Sequence, residues 1–326
     1  MITIAYILAA SHSGSTLLSM VLGSHPQIAT IGEMKLSSKA MGDLDHYRCS
    51  CGEVIHRCRF WEQVRDGMMR RGFTFDLADA MTDYRSATSC CARRLLAPLH
   101  RGRLLESVRD VTLGLCPAWR RQLPEIHKRN AALASTVLDL TGTQVVVDSS
   151  KVGLRLKYLL RNPELDVKVI HLVRDGRAVA LTYMDPTRFA DAQEPDRRGG
   201  GMGGKRQRER VSLEQATHRW CRCMSEAESM LRRLDPSRWM RVRYEECCMT
   251  LDETMSRLHQ FVGVRHSTRA REFRHVAQHI VGNGMRLDTT SEVRLDERWR
   301  SVLTSSELRA FDAIAGKMNR RYGYLS

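Results

Sequence analysis

No stretch of this chain approaches the roughly 18 consecutive apolar residues that a membrane-crossing helix requires, so no membrane span is expected. The apolar opening from Ile2 to Ala10 has no basic segment ahead of it and runs straight into a polar loop. It therefore reads as a first strand and not as a secretory signal. The ten cysteines include no C-x-x-C pair, and the adjacent pairs Cys90-Cys91 and Cys247-Cys248 do not fit a secreted disulfide framework. A reduced, cytoplasmic protein is expected. Aromatic residues make up only 6% of the chain, which leaves a nucleic-acid-binding module without its stacking platforms. Lysine is scarce: arginine supplies 44 of the 52 basic side chains behind a net charge of +15. Composition does not separate the two sources of that bias, an arginine-rich genome or an anionic ligand. No internal repeat is present.

What is present is an ordinary globular composition, 42% hydrophobic over 326 residues, enough to bury the core of one large domain or of a domain with an insertion. Five apolar, β-branched stretches predict strands at Thr3–Ala9, Gln27–Ile31, Gln144–Val147, Val167–Val173 and Met240–Val242. Helical periodicity falls between them, at Thr16–Gly23, Trp119–Leu140, Gly153–Arg161 and Leu213–Leu234. Near-continuously apolar strands alternating with helices predict an α/β fold, a parallel sheet covered on both faces. Residues 40–142 contain no strong strand and read as a mostly helical insertion.

Two segments have the character of anion-binding loops. Ser11-His12-Ser13-Gly14-Ser15-Thr16 follows the first strand, and Arg174-Asp175-Gly176-Arg177 follows the run Val169 to Val173, with Thr182 eight positions past Arg174. Each opens through small or polar residues into a helix, whose free N–H groups and dipole attract anions. Two such loops in one chain predict a ligand phosphorylated at two places. In open α/β sheets such loops fall at the carboxyl ends of strands, where ligands bind.

These loops resemble those of the sulfotransferases that use 3′-phosphoadenosine 5′-phosphosulfate (PAPS). The similarity to the bacterial branch and to the protein-tyrosine sulfotransferases continues through His25-Pro26, Gly32-Glu33, Val147-Asp148-Ser149-Ser150-Lys151 and Arg243-Tyr244-Glu245. It extends to Gly282-Asn283-Gly284-Met285-Arg286, Asp296-Glu297-Arg298-Trp299-Arg300 and Tyr322-Gly323-Tyr324. The resemblance implies a P-loop-like parallel sheet flanked by helices, with 1–326 as a single sulfotransferase domain. It also implies PAPS as co-substrate, no metal requirement, and an acceptor bearing a hydroxyl, whether small molecule, carbohydrate, lipid or peptide. Ser11, His12, Ser13, Gly14, Ser15 and Thr16 would hold the 5′-phosphosulfate, and Arg174 with Thr182 the 3′-phosphate. Gly282, Asn283 and Arg286 would close the phosphate site, with Arg286 beside Arg174. Glu33, in its Gly-Glu context, matches the general base of the protein-tyrosine enzymes.

One position departs from the family. An Arg or Lys usually precedes the Ser-Gly pair, and here His12 does. Either a protonated His12 or Lys151, which follows the third strand, would then stabilise the leaving group, with Arg155 and Arg286 as alternatives. A P-loop kinase is the competing class, because Val145-Val146-Val147-Asp148 imitates a strand bearing a magnesium aspartate. The Gly-Lys-[Ser/Thr] that reaches the phosphates of ATP is missing, however.

Two further segments stay open. Residues 196–208 hold five glycines and several basic residues, so 190–211 is expected to be a flexible loop, either a lid or a connector. Cys49, Cys51 and Cys58, flanked by His46 and His56, have the residue types of a zinc site, but C-x-C-x6-C matches no common spacing. Plain thiols, a metal site and a disulfide all remain, and no metal ligand is assigned.

Overall fold

A computed structural model describes residues 1–36, 44–97, 102–199 and 210–325. Five parallel strands form its centre: β1 (Ile2–Ala9), β2 (Ile28–Thr30), β3 (Val145–Lys151), β4 (Leu165–Val173) and β5 (Trp239–Arg243). They lie in the order β2-β3-β1-β4-β5, with Ala5 of β1 opposite Val147 of β3 and Lys168 of β4. The chain leaves β1 for one edge of the sheet, returns through β3, and then crosses β1 to build β4 and β5. The reversal places a crevice at the carboxyl ends of β1 and β4, the position where open α/β sheets bind ligands.

β1 and most of β3 and β4 are buried on both faces, which is why apolar residues dominate them. Ile4, Tyr6 and Leu8 of β1 face a core shared with α2 (Arg59–Arg70), α5 (Pro117–Thr141) and α6 (Gly153–Leu159). Ala5, Ile7 and Ala9 alternate to the other side, against α1 (Ser15–Leu22) and α10 (Leu251–Val262). A third cluster packs α7 (Gly176–Met184), α8 (Leu213–Leu231) and α11 (Ser305–Arg321) behind the second anion loop. Helix α9 (Tyr244–Met249) begins directly at the end of β5. Among the described residues of 40–142 the longer regular elements are α2, α3 (Cys90–Leu96), α4 (Arg103–Leu115) and α5, with one isolated antiparallel bridge, Arg48 to Val54. No helix among the described residues is long and apolar enough to cross a membrane.

The third strand runs further than its apolar residues predict. It continues through Asp148, Ser149 and Ser150 to Lys151, although Asp148 and both serines are buried. The polar groups are tolerated because they are paired. Asp148 accepts hydrogen bonds from Arg155 Nε at 2.8 Å, from Ser150 N at 2.9 Å and from Met34 N at 3.2 Å. Of the expected flexible loop at 190–211, residues 200–209 lie outside the described residues.

Candidate active site

The crevice floor is the turn between β1 and α1. Gly14 caps α1 at φ 88°, and a Cβ there would stand 2.4 Å from Cδ2 of Tyr244. Only glycine combines that left-handed backbone with the close approach of the ring. His12 also takes a left-handed conformation, at φ 69°. All eight residues of α1 are buried, its N-terminus carries no side-chain cap, and no acidic residue lies in its first turn. Neither a side chain nor an acidic residue neutralises its positive end. Ser13 Oγ, just ahead of it, is buried without a hydrogen-bond partner among the described residues.

Arg174, at the end of β4 and 6% exposed, ties the second loop to the first. Its Nη1 donates to the carbonyl of His12 at 2.9 Å, and its guanidinium lies 4.4 Å from the centre of the Tyr244 ring. Nη2 donates to Asp296, to its carbonyl at 3.0 Å and to its carboxylate at 2.9 Å. Burial would raise the Asp296 carboxyl, but Arg298 and Arg174 outweigh it and hold the group well below the usual carboxylate range. A carboxylate thus sits on the arginine that the sequence assigns to a phosphate. Thr182, two turns along α7, donates its hydroxyl to Ala178 O at 3.0 Å and faces the same crevice.

Beyond β3 stands a charged triplet. Glu33, 8% exposed, pairs through one oxygen with Lys151 and through the other with Lys35, at 2.8 Å. Burial pushes its carboxyl up, yet the two ammonium groups prevail and hold it well below the carboxylate range. Gly32 places it. At φ 81°, Gly32 bridges Val281, and a Cβ would be 2.0 Å from Val281 O. Lys151 ends its strand in the left-handed region, at φ 69°.

These groups line one cavity of about 670 Å³. Ser11, His12, Gly14, Ser15, Thr16, Glu33, Lys151, Arg174, Thr182 and Asn283 all reach its wall. So do Arg188, Arg198, Arg274, Arg294 and Arg298, which gather positive charge around it. The His12 ring meets Tyr183 edge-on at 4.8 Å. Asn283 accepts from Met285 N at 2.9 Å and donates to Ala190 O, so its side chain also shapes the wall.

Three expected residues lie elsewhere. Ser13 and Gly282 are outside the lining, and Arg286 does not stand beside Arg174. Arg286 is 1% exposed, and its guanidinium donates to the carbonyls of Gly282, Asn283 and Arg48. Its loop needed a cation to neutralise converging carbonyls, and the side chain turned inward to supply it. Arg155 is likewise committed, to Asp148, to Thr82 O at 2.7 Å and to Asn130 Oδ1 at 2.8 Å. Neither is placed to act as the cation at the leaving group. Lys35, Tyr244 and Asp296 take part without having been assigned a role from the sequence. Tyr244 and Asp296 stand in recognisable motifs, and Lys35 follows Glu33 by two residues.

Comparison with known proteins adds the wider setting. Residues 5–268 match a family profile described as the sulfotransferase family. Among solved structures, the chain is similar to the sulfotransferase domain from the Synechococcus PCC 7002 olefin synthase. The TM-score there is 0.53 at 16% identity, covering 99% of this chain and 94% of that one. It is also similar to the sulfotransferase domain from the curacin biosynthetic pathway, with a TM-score of 0.53 at 14% identity over 100% of this chain and 99% of that one. Identities this low speak for the fold alone. Comparison with curated proteins gave no significant sequence match.

Proposed function

This chain belongs to the sulfotransferase family, and from that premise we propose that it moves a sulfuryl group from PAPS to an acceptor hydroxyl. The observation that carries the reading is the convergence of the α1 turn, Arg174 and the Glu33–Lys151 pair on one cavity. Adenosine 3′-phosphate 5′-phosphosulfate would supply the sulfuryl group. The residues present fit such a donor: an uncapped helix N-terminus opening on the cavity and a glycine where any side chain would collide. Ser11, Ser15 and Thr16 offer hydroxyls to the 5′ end, with Ser13 close behind. Arg174 and Thr182 would take the 3′-phosphate once Asp296 yields the guanidinium.

Glu33 is the group on the wall best suited to accept the proton of an acceptor hydroxyl. Held low by both lysines, Glu33 is ionised but a weak base, and its basicity would rise as Lys151 turns towards the donor. Lys151, already paired with Glu33, would move its charge towards the bridging oxygen, with His12 assisting from the α1 turn. Arg286 and Gly282 act indirectly by shaping the Asn283 loop. The burial of Asp148 against Arg155 speaks against a kinase, because the carboxylate that would hold magnesium is already neutralised. We read 1–326 as one domain, with 40–142 as an insertion. The ten free thiols suit a reduced, cytoplasmic protein.

The test is ligand preference. Adenosine 3′,5′-bisphosphate should raise the melting temperature, and a concentration one hundred times Kd stabilises by about 2.7 kcal/mol. Arg174→Ala should weaken it about ten- to a hundred-fold while changing the affinity for 5′-AMP little. Preference for ATP–magnesium, or equal losses for both nucleotides, would overturn the reading.

A further inference from the structure

The sequence reading assigned this chain no metal. In the structure Cys49, Cys51 and Cys58 do converge, and a fourth side chain joins them from 221 residues further on. The sulfur or nitrogen atoms of Cys49, Cys51, Cys58 and His279 all lie within 4.8 Å of one another. We propose that these four side chains form a structural zinc site.

Zinc bound by thiolates and imidazole is tetrahedral, with Zn–S of about 2.3 Å and Zn–N of about 2.0–2.1 Å, so neighbouring ligand atoms stand about 3.5–3.8 Å apart. The observed separations are 3.6 Å for Cys51 to Cys58, 3.3 Å for Cys58 to His279 Nδ1 and 3.7 Å for Cys49 to His279 Nδ1. A disulfide would require about 2.05 Å between sulfurs, and all three cysteines are free thiols. Three soft sulfurs and one imidazole select zinc over magnesium or calcium. Four protein ligands leave no open position, so the site is structural and not catalytic. His46 and His56, the neighbours in sequence, are not in the group.

The surroundings suit an ion that enters from one side. Cys49 and Cys58 are buried, and the His279 ring stacks on Phe60 at 4.5 Å, fixing its plane. Cys51 is exposed and opens onto a cleft with Gly52 and Arg274. Binding would release thiol protons as the sulfurs become thiolates.

The site would fasten a hinge of the active cavity. Ser50, between two of the ligands, donates to Gln278 O at 2.5 Å and accepts from Ile280 N at 2.8 Å. Tyr47 bonds Gly282 N at 2.7 Å, and Val281 bridges Gly32 next to Glu33. A metal here would hold segment 278–283, whose Val281 makes that bridge, beside the loop of Cys49 to Cys58. The inference stands on the four ligands and does not depend on the reaction.

Full-length protein from zinc-supplemented cells, purified without chelator, should contain one zinc per chain by elemental analysis. Cobalt substitution should give thiolate charge-transfer bands and intense visible bands of a tetrahedral centre. Cys58→Ser and His279→Ala should lose that metal, whereas Cys90→Ser, at an exposed thiol, should keep it. Because the ligand variants could fail to fold, a second measurement uses wild-type protein alone. Zinc should shield three of its ten thiols from alkylation, and chelation should expose them and lower the melting temperature. Folded wild-type protein that takes up neither zinc nor cobalt would overturn the proposal. So would a Cys51–Cys58 disulfide in freshly reduced and re-isolated protein, or unchanged zinc content in both ligand variants.

Discussion

At the scale of single residues, the chemistry turns on how charges are shared between neighbours. Glu33 is claimed by two ammonium groups, and removing either changes its basicity in a known direction. Lys35→Met takes away one of the two charges opposing burial, so the Glu33 pKa rises. The acid limb of kcat/KM against pH should therefore move to higher pH. An unmoved limb would remove Glu33 from the role of base. Lys151→Met should instead lower turnover by about 10²–10³, the cost of losing a charge that stabilises a transition state. His12→Ala should lose much less. The reverse order would make His12 the principal cation. Asp296 offers a third test. Because its carboxylate occupies Arg174, Asp296→Asn should tighten the bisphosphate about tenfold, measured by calorimetric titration. Weaker binding would show that Asp296 positions the arginine instead.

At the scale of elements, the five strands were legible because parallel strands covered on both faces are mostly apolar, down to the Met240 and Val242 of a β5 that also carries Arg241 and Arg243. Both loops were legible as turns from strand into helix because small and polar residues there follow near-continuous apolar runs, and the structure brings them to one cavity. The end of β3 was not, since Asp148, Ser149 and Ser150 are polar. Arg155, from the following helix, and the backbone N–H groups of Ser150 and Met34 pair with Asp148 and let the strand continue. The inward turn of Arg286 onto three carbonyls was not legible either, because an arginine in a phosphate-type loop and an arginine satisfying carbonyls look alike in sequence. His279 carried no signal, because its partners lie in another loop more than two hundred residues away. Backbone geometry gives the prediction at this scale. Gly142 is left-handed at φ 64° with nothing near its Cβ position, so Gly142→Ala should cost about 1 kcal/mol. Gly32→Ala would drive a methyl against the carbonyl of Val281, and backbone cannot step aside. It should cost about 3 kcal/mol or more and depress activity through Glu33, as denaturant unfolding and initial rates would show. Equal costs at the two positions would refute the role given to the Val281 contact.

At the scale of the whole molecule, buried neutral histidines set a pH dependence. Burial, with the charge of Arg241, pushes His171 down to about 3; burial, with His25 and His266, pushes His259 down to about 4. In the unfolded chain both titrate near 6.5. Their contribution to stability is therefore complete above about pH 6.5 and is lost as pH falls towards their folded values. Melting temperature should decline between about pH 6.5 and pH 5, before most carboxylates titrate. His171→Phe, in a site bordered by Tyr322, should flatten that decline while leaving stability near neutrality little changed. An identical slope in the variant would refute the assignment.

The place of β1 has a consequence in time. This strand ends at Ala9, yet its two neighbours in the sheet begin only at Val145 and Leu165. During synthesis, at about 5–20 residues per second, the central strand is made first and waits for both partners. Until β3 has left the ribosome β1 presents two unpaired edges, one of them stays open until β4 follows, and both mostly apolar faces lack their covering helices. The turn that would cradle a phosphate has no arginine to anchor it. Nascent chains arrested before Leu165 should accordingly be digested by protease and held by chaperones, and chains arrested well beyond Arg243 should resist. The ligand pocket is thus among the last things the growing polypeptide can own.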